Sequence, residues 1–133
     1  MERTKQIAVQ APNKSGVMAK ICQAMAWHEV NIIAIMAPES LGTGILRIVP
    51  DDLEKAEDVF NELQFSFTVE EVLSLRLTNK PGELAQIAST LAKSNIGIEF
   101  LYATTDGFGR AERVILSPTN LDEAEEALKG LAV

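Results

Sequence analysis

Asn79-Lys80-Pro81-Gly82-Glu83-Leu84 stands 66 positions after Asn13-Lys14-Ser15-Gly16-Val17-Met18, and the same offset runs on well beyond these two stretches. Ala19 and Ile21 fall on Ala85 and Ile87, Ala26 on Ala92, Ile32 on Ile98, Ala37 on Ala103, and Arg47 on Arg113. A two-residue insertion then moves the offset to 68, and Leu53, Ala56, Phe60 and Leu63 fall on Leu121, Ala124, Leu128 and Leu131. Chance yields scattered matches, not this order with a single gap. The chain is therefore an internal duplication, with a first repeat over 1–71 and a second over 72–133.

Each repeat has the same coarse pattern. Ile7 and Val9 alternate with polar or small residues, as do Leu73, Leu75 and Leu77 against Ser74, Arg76 and Thr78, so each repeat opens on a half-buried strand. The Asn-Lys-(Ser/Pro)-Gly turn follows, then a helix on which Leu84, Ile87, Ala88 and Leu91 share one face. Pro81 suits the entry to that helix, where its missing N–H would have no partner. Two apolar strands come next, from about Asn31 to Ala37 and Ile96 to Thr104, with returns over Ile45 to Val49 and Glu112 to Leu116. Leu41-Gly42-Thr43-Gly44 and Asp106-Gly107-Phe108-Gly109 close the hairpins. A second helix starts after Pro50-Asp51-Asp52 and after Pro118-Thr119-Asn120, where Asp51 with Glu54 and Asn120 with Glu123 have capping-box spacing. A fourth strand over Ser66 to Val72 ends the first repeat. The order β-α-β-β-α-β is the split βαβ, ferredoxin-like pattern, so the fold class is α+β: two antiparallel sheets, each with its helices on one face. The fourth strand of the second repeat would begin where the sequence stops, at Leu131-Ala132-Val133, so it is missing or borrowed. An uncovered edge invites pairing, with the other repeat or with another subunit.

Composition narrows the functions. With 133 residues, 47% hydrophobic and 5% aromatic, the core has to be built from aliphatic side chains. A net charge of -7 repels phosphate backbones and acidic membrane surfaces, so neither nucleic acid nor membrane is an expected partner. One cysteine, Cys22, cannot form an internal disulfide, and no apolar run reads as a signal peptide or membrane span; the expectation is a cytoplasmic protein.

The element order, with Asn79-Lys80-Pro81-Gly82-Glu83-Leu84 and then Ile96-Gly97-Ile98-Glu99, resembles the ACT domain. The first repeat matches with Asn13 to Met18 and Val30-Asn31-Ile32, departing at Ser15 where proline is usual. The resemblance covers nearly the whole chain, twice. It implies a regulatory module that binds an amino acid or related small effector where two such domains meet, in a homodimer or between repeats, and that acts on a separate enzyme of amino-acid metabolism. The implied contacts are Asn13, Lys14, Ser15, Gly16 and Val17, with Asn31; then Asn79, Lys80, Pro81, Gly82, Glu83 and Leu84; and Tyr102 on the second strand. The chemistry agrees: N–H groups at a helix start hold a carboxylate, and an Asn side chain both donates and accepts. Asn13, Asn31 and Asn79 also suit a simpler role, capping their own turns, and Lys14 and Lys80 suit plain solvated charges.

Other chemistries lack their residues. His28, the one histidine, sits at a helix end, and with Cys22 it matches no trusted metal spacing. No nucleophile–base–orienter set is visible, so no catalytic residues, metal or cofactor are expected. The acidic run Leu121 to Glu126 reads as a solvated helix face. The RNA-recognition motif shares the topology and a Gly-Phe-Gly at Gly107 to Gly109, but Asp106, Ala111 and Arg113 stand where basic and stacking residues belong. Phe100 is expected in the core. The alternative to effector binding is a ligand-free protein–protein interaction module regulating a metabolic enzyme.

Overall fold

Four helices and six strands alternate as the duplication requires, in a computed structural model that describes residues 1–12, 14–37, 43–105, 107 and 109–133. In chain order they are β1 (Glu2–Pro12), α1 (Val17–Trp27), β2 (Ile32–Met36), β3 (Thr43–Pro50), α2 (Leu53–Leu63), β4 (Phe67–Thr78), α3 (Glu83–Lys93), β5 (Ile98–Thr105), β6 (Ala111–Pro118) and α4 (Leu121–Leu128). Asn13, Leu41 and Gly42 of the first expected hairpin tip, and Asp106 and Phe108 of the second, lie outside the described residues. The chain divides into two compact units: Lys5–Glu70, and Met1–Thr4 together with Glu71–Val133.

In the Lys5–Glu70 unit the strand order is β2-β3-β1-β4. β1 and β3 are antiparallel, with Ile7 opposite Ile48 and Val9 opposite Leu46. The period of two turns these four side chains to one face, where they meet Ile21 and Met25 of α1 and Ala56, Val59 and Phe60 of α2. The Phe60 ring lies 6.1 Å from that of Phe67, tilted rather than stacked. In the other unit β4 and β6 are antiparallel, Leu73 opposite Leu116 and Leu75 opposite Val114. These face Ile87 and Leu91 of α3 and Ala124 and Leu128 of α4. The two cores are thus the same design, one helix face from each of two helices laid on alternate residues of a sheet.

The fourth strand of the second repeat is borrowed from the beginning of the same chain. The residues expected to form two strands, Ser66 to Val72 and Leu73 to Leu77, form one 12-residue strand, β4. β1 likewise starts at Glu2, well before its pairing with β3 begins at Ile7. β4 is the other neighbour of β1, and Met1–Thr4 belong to the Glu71–Val133 unit. Each long strand therefore serves one unit with one end and the other unit with the other. Arg3 holds this end: its Nε donates to Glu125 at 2.9 Å, its Nη2 donates to Asp122, and Glu71 lies 3.9 Å away. Hydrogen bonds from Glu125 and then Asp122 raise the guanidinium further above its ordinary range. The acidic run on α4 is thus not simply a solvated face.

Two further expectations are corrected. The cap of α2 is Asp52, not Asp51: its side chain accepts the Lys55 N–H at 3.1 Å. Asn120 does the same for Glu123 at 3.0 Å, as expected. Asp51 instead accepts the Asn31 N–H at 2.9 Å while its own N–H donates to the Asn31 carbonyl at 3.0 Å. Thr119 and Gly97, the positions the duplication puts there, repeat both bonds at 3.0 and 2.9 Å. Phe100 is not in the helix-side core. A bulge between Ile98 and Phe100 shifts the register, so Leu101 sits opposite Leu116 and joins the core while Phe100 lies opposite Ser117. Asp52→Ala and Asn120→Ala are each expected to cost about 1 kcal/mol. Urea unfolding should report each as a lower midpoint with an unchanged slope.

Candidate functional site

The turn between the first strand and first helix of each repeat has one geometry in both copies. Val17 N–H donates to the Lys14 carbonyl at 3.3 Å, and Glu83 N–H to that of Lys80 at 3.4 Å. The third residue of each turn is left-handed, Gly16 at φ 88° and Gly82 at φ 95°. That is the type II turn, which needs glycine there and favours proline just before it. Pro81 therefore occupies the turn's corner at the entry to α3, just ahead of the cap residue Gly82. Neither α1 nor α3 has a side-chain cap, so their first N–H groups are not met by a capping side chain. Asn79 is bound through its backbone: its N–H donates to the Arg110 carbonyl at 3.0 Å and its carbonyl accepts the Gly109 N–H at 2.8 Å.

In the Lys5–Glu70 unit this corner roofs a cavity of about 100 Å3. Ala11, Pro12 and Lys14 form its rim, and Val17, Met18 and Ile21 of α1 form one wall. Ala37, just past β2, and Gly44, Ile45 and Leu46 of β3 form the opposite wall. Lys14 is the one charged residue among these. Of the residues expected at the site, Lys14 and Val17 line the cavity, and Ser15 and Gly16 build its turn. Asn31 precedes β2 whereas Ala37 follows it, so Asn31 stands at the far end of that strand, held by Asp51. In the other unit Lys80 to Leu84 form the matching corner, with Pro81 and Gly82 in its turn. Tyr102, opposite Ile115, faces away from the side of β5 on which Leu101 joins the core.

Met18, Ile21, Ala37 and the β3 wall were not among the expected contacts. A signal for Met18 was present: its counterpart is Leu84, and both leave a large apolar side chain on the first helical turn, 39% and 40% exposed. The two corners differ in charge. Glu83 stands where the first repeat has Val17, and its Oε2 is buried without a hydrogen-bond partner among the described residues.

No group of three His, Cys, Asp or Glu able to hold a metal occurs among the described residues, and no described helix is long and apolar enough to cross a membrane. His28 ends α1 with Nε2 2.9 Å from a Glu62 carboxylate oxygen, and Cys22 is partly buried on the same helix.

Comparison with known proteins gives a consistent answer. The profile of the ACT domain pair matches residues 2–129. A crystal structure of a protein from Bacteroides thetaiotaomicron superposes with a TM-score of 0.88 at 27% identity, over 96% of this chain and 88% of that one. The ligand-free regulatory subunit of aspartate kinase from Thermus thermophilus superposes with a TM-score of 0.68 at 14% identity, over 99% and 93%. The latter likeness is one of fold alone. No curated protein matches the sequence.

Proposed function

The chain belongs to the ACT domain pair family, and from that membership we propose that it is a regulatory protein that binds an amino acid or a closely related effector and catalyses nothing itself. The observation that carries this reading is the cavity under the Lys14–Val17 corner: a hollow lined by aliphatic side chains, with one cation and uncapped helix N–H groups at its mouth. Such a mouth suits a carboxylate, and such a hollow suits a side chain. At about 100 Å3 the cavity falls short of the roughly 300–1,000 Å3 of a site that encloses its ligand. A second copy of the chain supplies the missing wall, so the active form is a homodimer. The regulated enzyme is a separate cytoplasmic protein of amino-acid metabolism, a role in keeping with the neighbour named as an aspartate kinase regulatory subunit.

A thermal-shift series of the purified chain against the common amino acids tests this. An effector at about one hundred times its dissociation constant adds about 2.7 kcal/mol, which moves the transition by several degrees. Gly16→Val, strained at φ 88°, should lose the response while retaining a cooperative transition. A second reading, a ligand-free interaction module, draws on Ile33, Ile35 and Ile45, which leave large apolar side chains exposed on the first unit. A flat thermal response across all the amino acids would move the choice to that reading.

A further inference from the structure

We infer that the cavity of the first repeat is a side-chain pocket selecting a short aliphatic group, and that Glu83 and Glu112 remove the same capacity from the second repeat. This rests on the effector-binding reading and adds to it the class of effector and the number of working sites.

The walls decide the class. The side chains of Val17, Met18, Ile21 and Leu46 are aliphatic or thioether, and no carboxylate, amide or hydroxyl side chain is among the described lining residues. A polar or charged side chain buried there would lose its water without gaining a partner. The volume within one chain favours a small group. An apolar cavity of about 150 Å3 takes a benzene ring, so one of about 100 Å3 takes fewer carbons, as in valine, leucine or isoleucine. Lys14 at the rim is positioned to meet a carboxylate left outside the hollow. The effector is then an α-carboxylate with a branched or short aliphatic chain.

The second repeat keeps the frame and changes the chemistry. Its turn, glycine conformation and helix start reproduce those of the first: Lys20 N–H reaches the Gly16 carbonyl at 3.0 Å, and Gln86 N–H the Gly82 carbonyl at 2.9 Å. Met18 and Ile21 have apolar counterparts in Leu84 and Ile87. On the opposite wall Glu112 stands where the first repeat has Gly44, by the pairings Leu77–Glu112 and Ala11–Gly44, and on the helix Val17 becomes Glu83. Its charge sits at the helix start that would receive the effector's carboxylate, and two carboxylates sharing a site repel. Its buried Oε2, without a partner among the described residues, calls for a donor and not for another acceptor. Acidic residues on both walls thus separate two corners that share one turn geometry.

Isothermal titration of the intact chain with alanine, valine, leucine, isoleucine, phenylalanine and aspartate tests the inference. The expected result is binding of an aliphatic member at least tenfold tighter than phenylalanine or aspartate, with one ligand per chain. Val17→Glu, which gives the first corner the residue of the second, should weaken that binding at least tenfold, and Met18→Asn, on the same helical turn, should do the same. Glu83→Val should leave the first site unchanged, and two ligands per unmodified chain would overturn the assignment of a single working site. Circular dichroism of each variant separates lost binding from lost fold. Preference for phenylalanine or aspartate, or loss of binding in Glu83→Val with retention in Val17→Glu, overturns this inference while leaving effector binding standing. No binding of any amino acid overturns both.

Discussion

Phe60→Ala is expected to destabilise the Lys5–Glu70 unit by about 3–5 kcal/mol, the largest single-residue effect in the protein. Phe60 has no exposed surface, and its ring fills the space between Phe67 and the face of α2 formed with Ala56 and Val59. Its loss removes transfer energy and leaves a cavity that neighbouring β-strands are too constrained to close. A whole domain is stable by only about 5–15 kcal/mol, so the variant should sit near the edge of folding. Leu128, the equivalent residue of the second repeat, is equally buried but smaller, and Leu128→Ala should cost about 2–5 kcal/mol. Far-ultraviolet circular dichroism during urea unfolding is the right measurement. Trp27 is 85% exposed, so its fluorescence changes little when the core opens. A Phe60→Ala loss below about 1 kcal/mol would contradict a closed core around this ring.

A chain that starts at Lys5 is expected to lose about 2–3 kcal/mol from the Glu71–Val133 unit, at about 1 kcal/mol for each net ladder hydrogen bond of Glu2, Arg3 and Thr4. The first half of β4 in that unit then becomes an open edge, next to the buried Val72, Leu73 and Leu75. Amide exchange should report it directly, as lost protection at those alternate amides of residues 71–75 that pointed to the removed strand, with Ile7 and Val9 unaffected. Self-association should rise as well, because an unpaired edge recruits strands. Arg3→Glu is the sharper electrostatic control. It brings like charge against Glu71, Asp122 and Glu125, so it should destabilise in low salt and recover as salt screens the repulsion. Unchanged stability and protection in the shortened chain would mean that residues 2–4 do not act as a strand of this unit.

Much of the protein was legible in the residue order. The offset of 66, then 68, identified the duplication, because a repeated fold must bury the same positions in each copy. Alternation at Ile7–Val9 and Leu73–Leu77 and the helical spacing at Leu84–Leu91 gave the element types, since period two and period 3.6 are imposed by backbone geometry. Asn120 as a cap and Gly16 and Gly82 as turn residues follow from local stereochemistry in the same way. Each of these signals is contained within a few consecutive residues.

Tertiary structure decided the rest, because the remaining choices depend on residues far apart in the chain. That β1 and β4 each run from one unit into the other, so that Met1–Thr4 supply the strand the second repeat lacks, cannot be read from a local pattern: Ser66 to Leu77 carry the same alternation whether they form one strand or two. Asp51 and Asp52 are equally good caps in sequence, and only the approach of Asn31 to Asp51 assigns the cap to Asp52. The bulge after Ile98 turned Phe100 out of the core and Leu101 into it, a one-residue shift that reverses every side chain beyond it. The candidate site divides along the same line. The corner Lys14–Val17 was visible as a motif, whereas its opposite wall of Ala37, Ile45 and Leu46 and the distance of Asn31 from it follow from how β2 and β3 fold back beneath α1. Local geometry fixed the elements and the turn; contacts between distant segments fixed which side chains share a cavity.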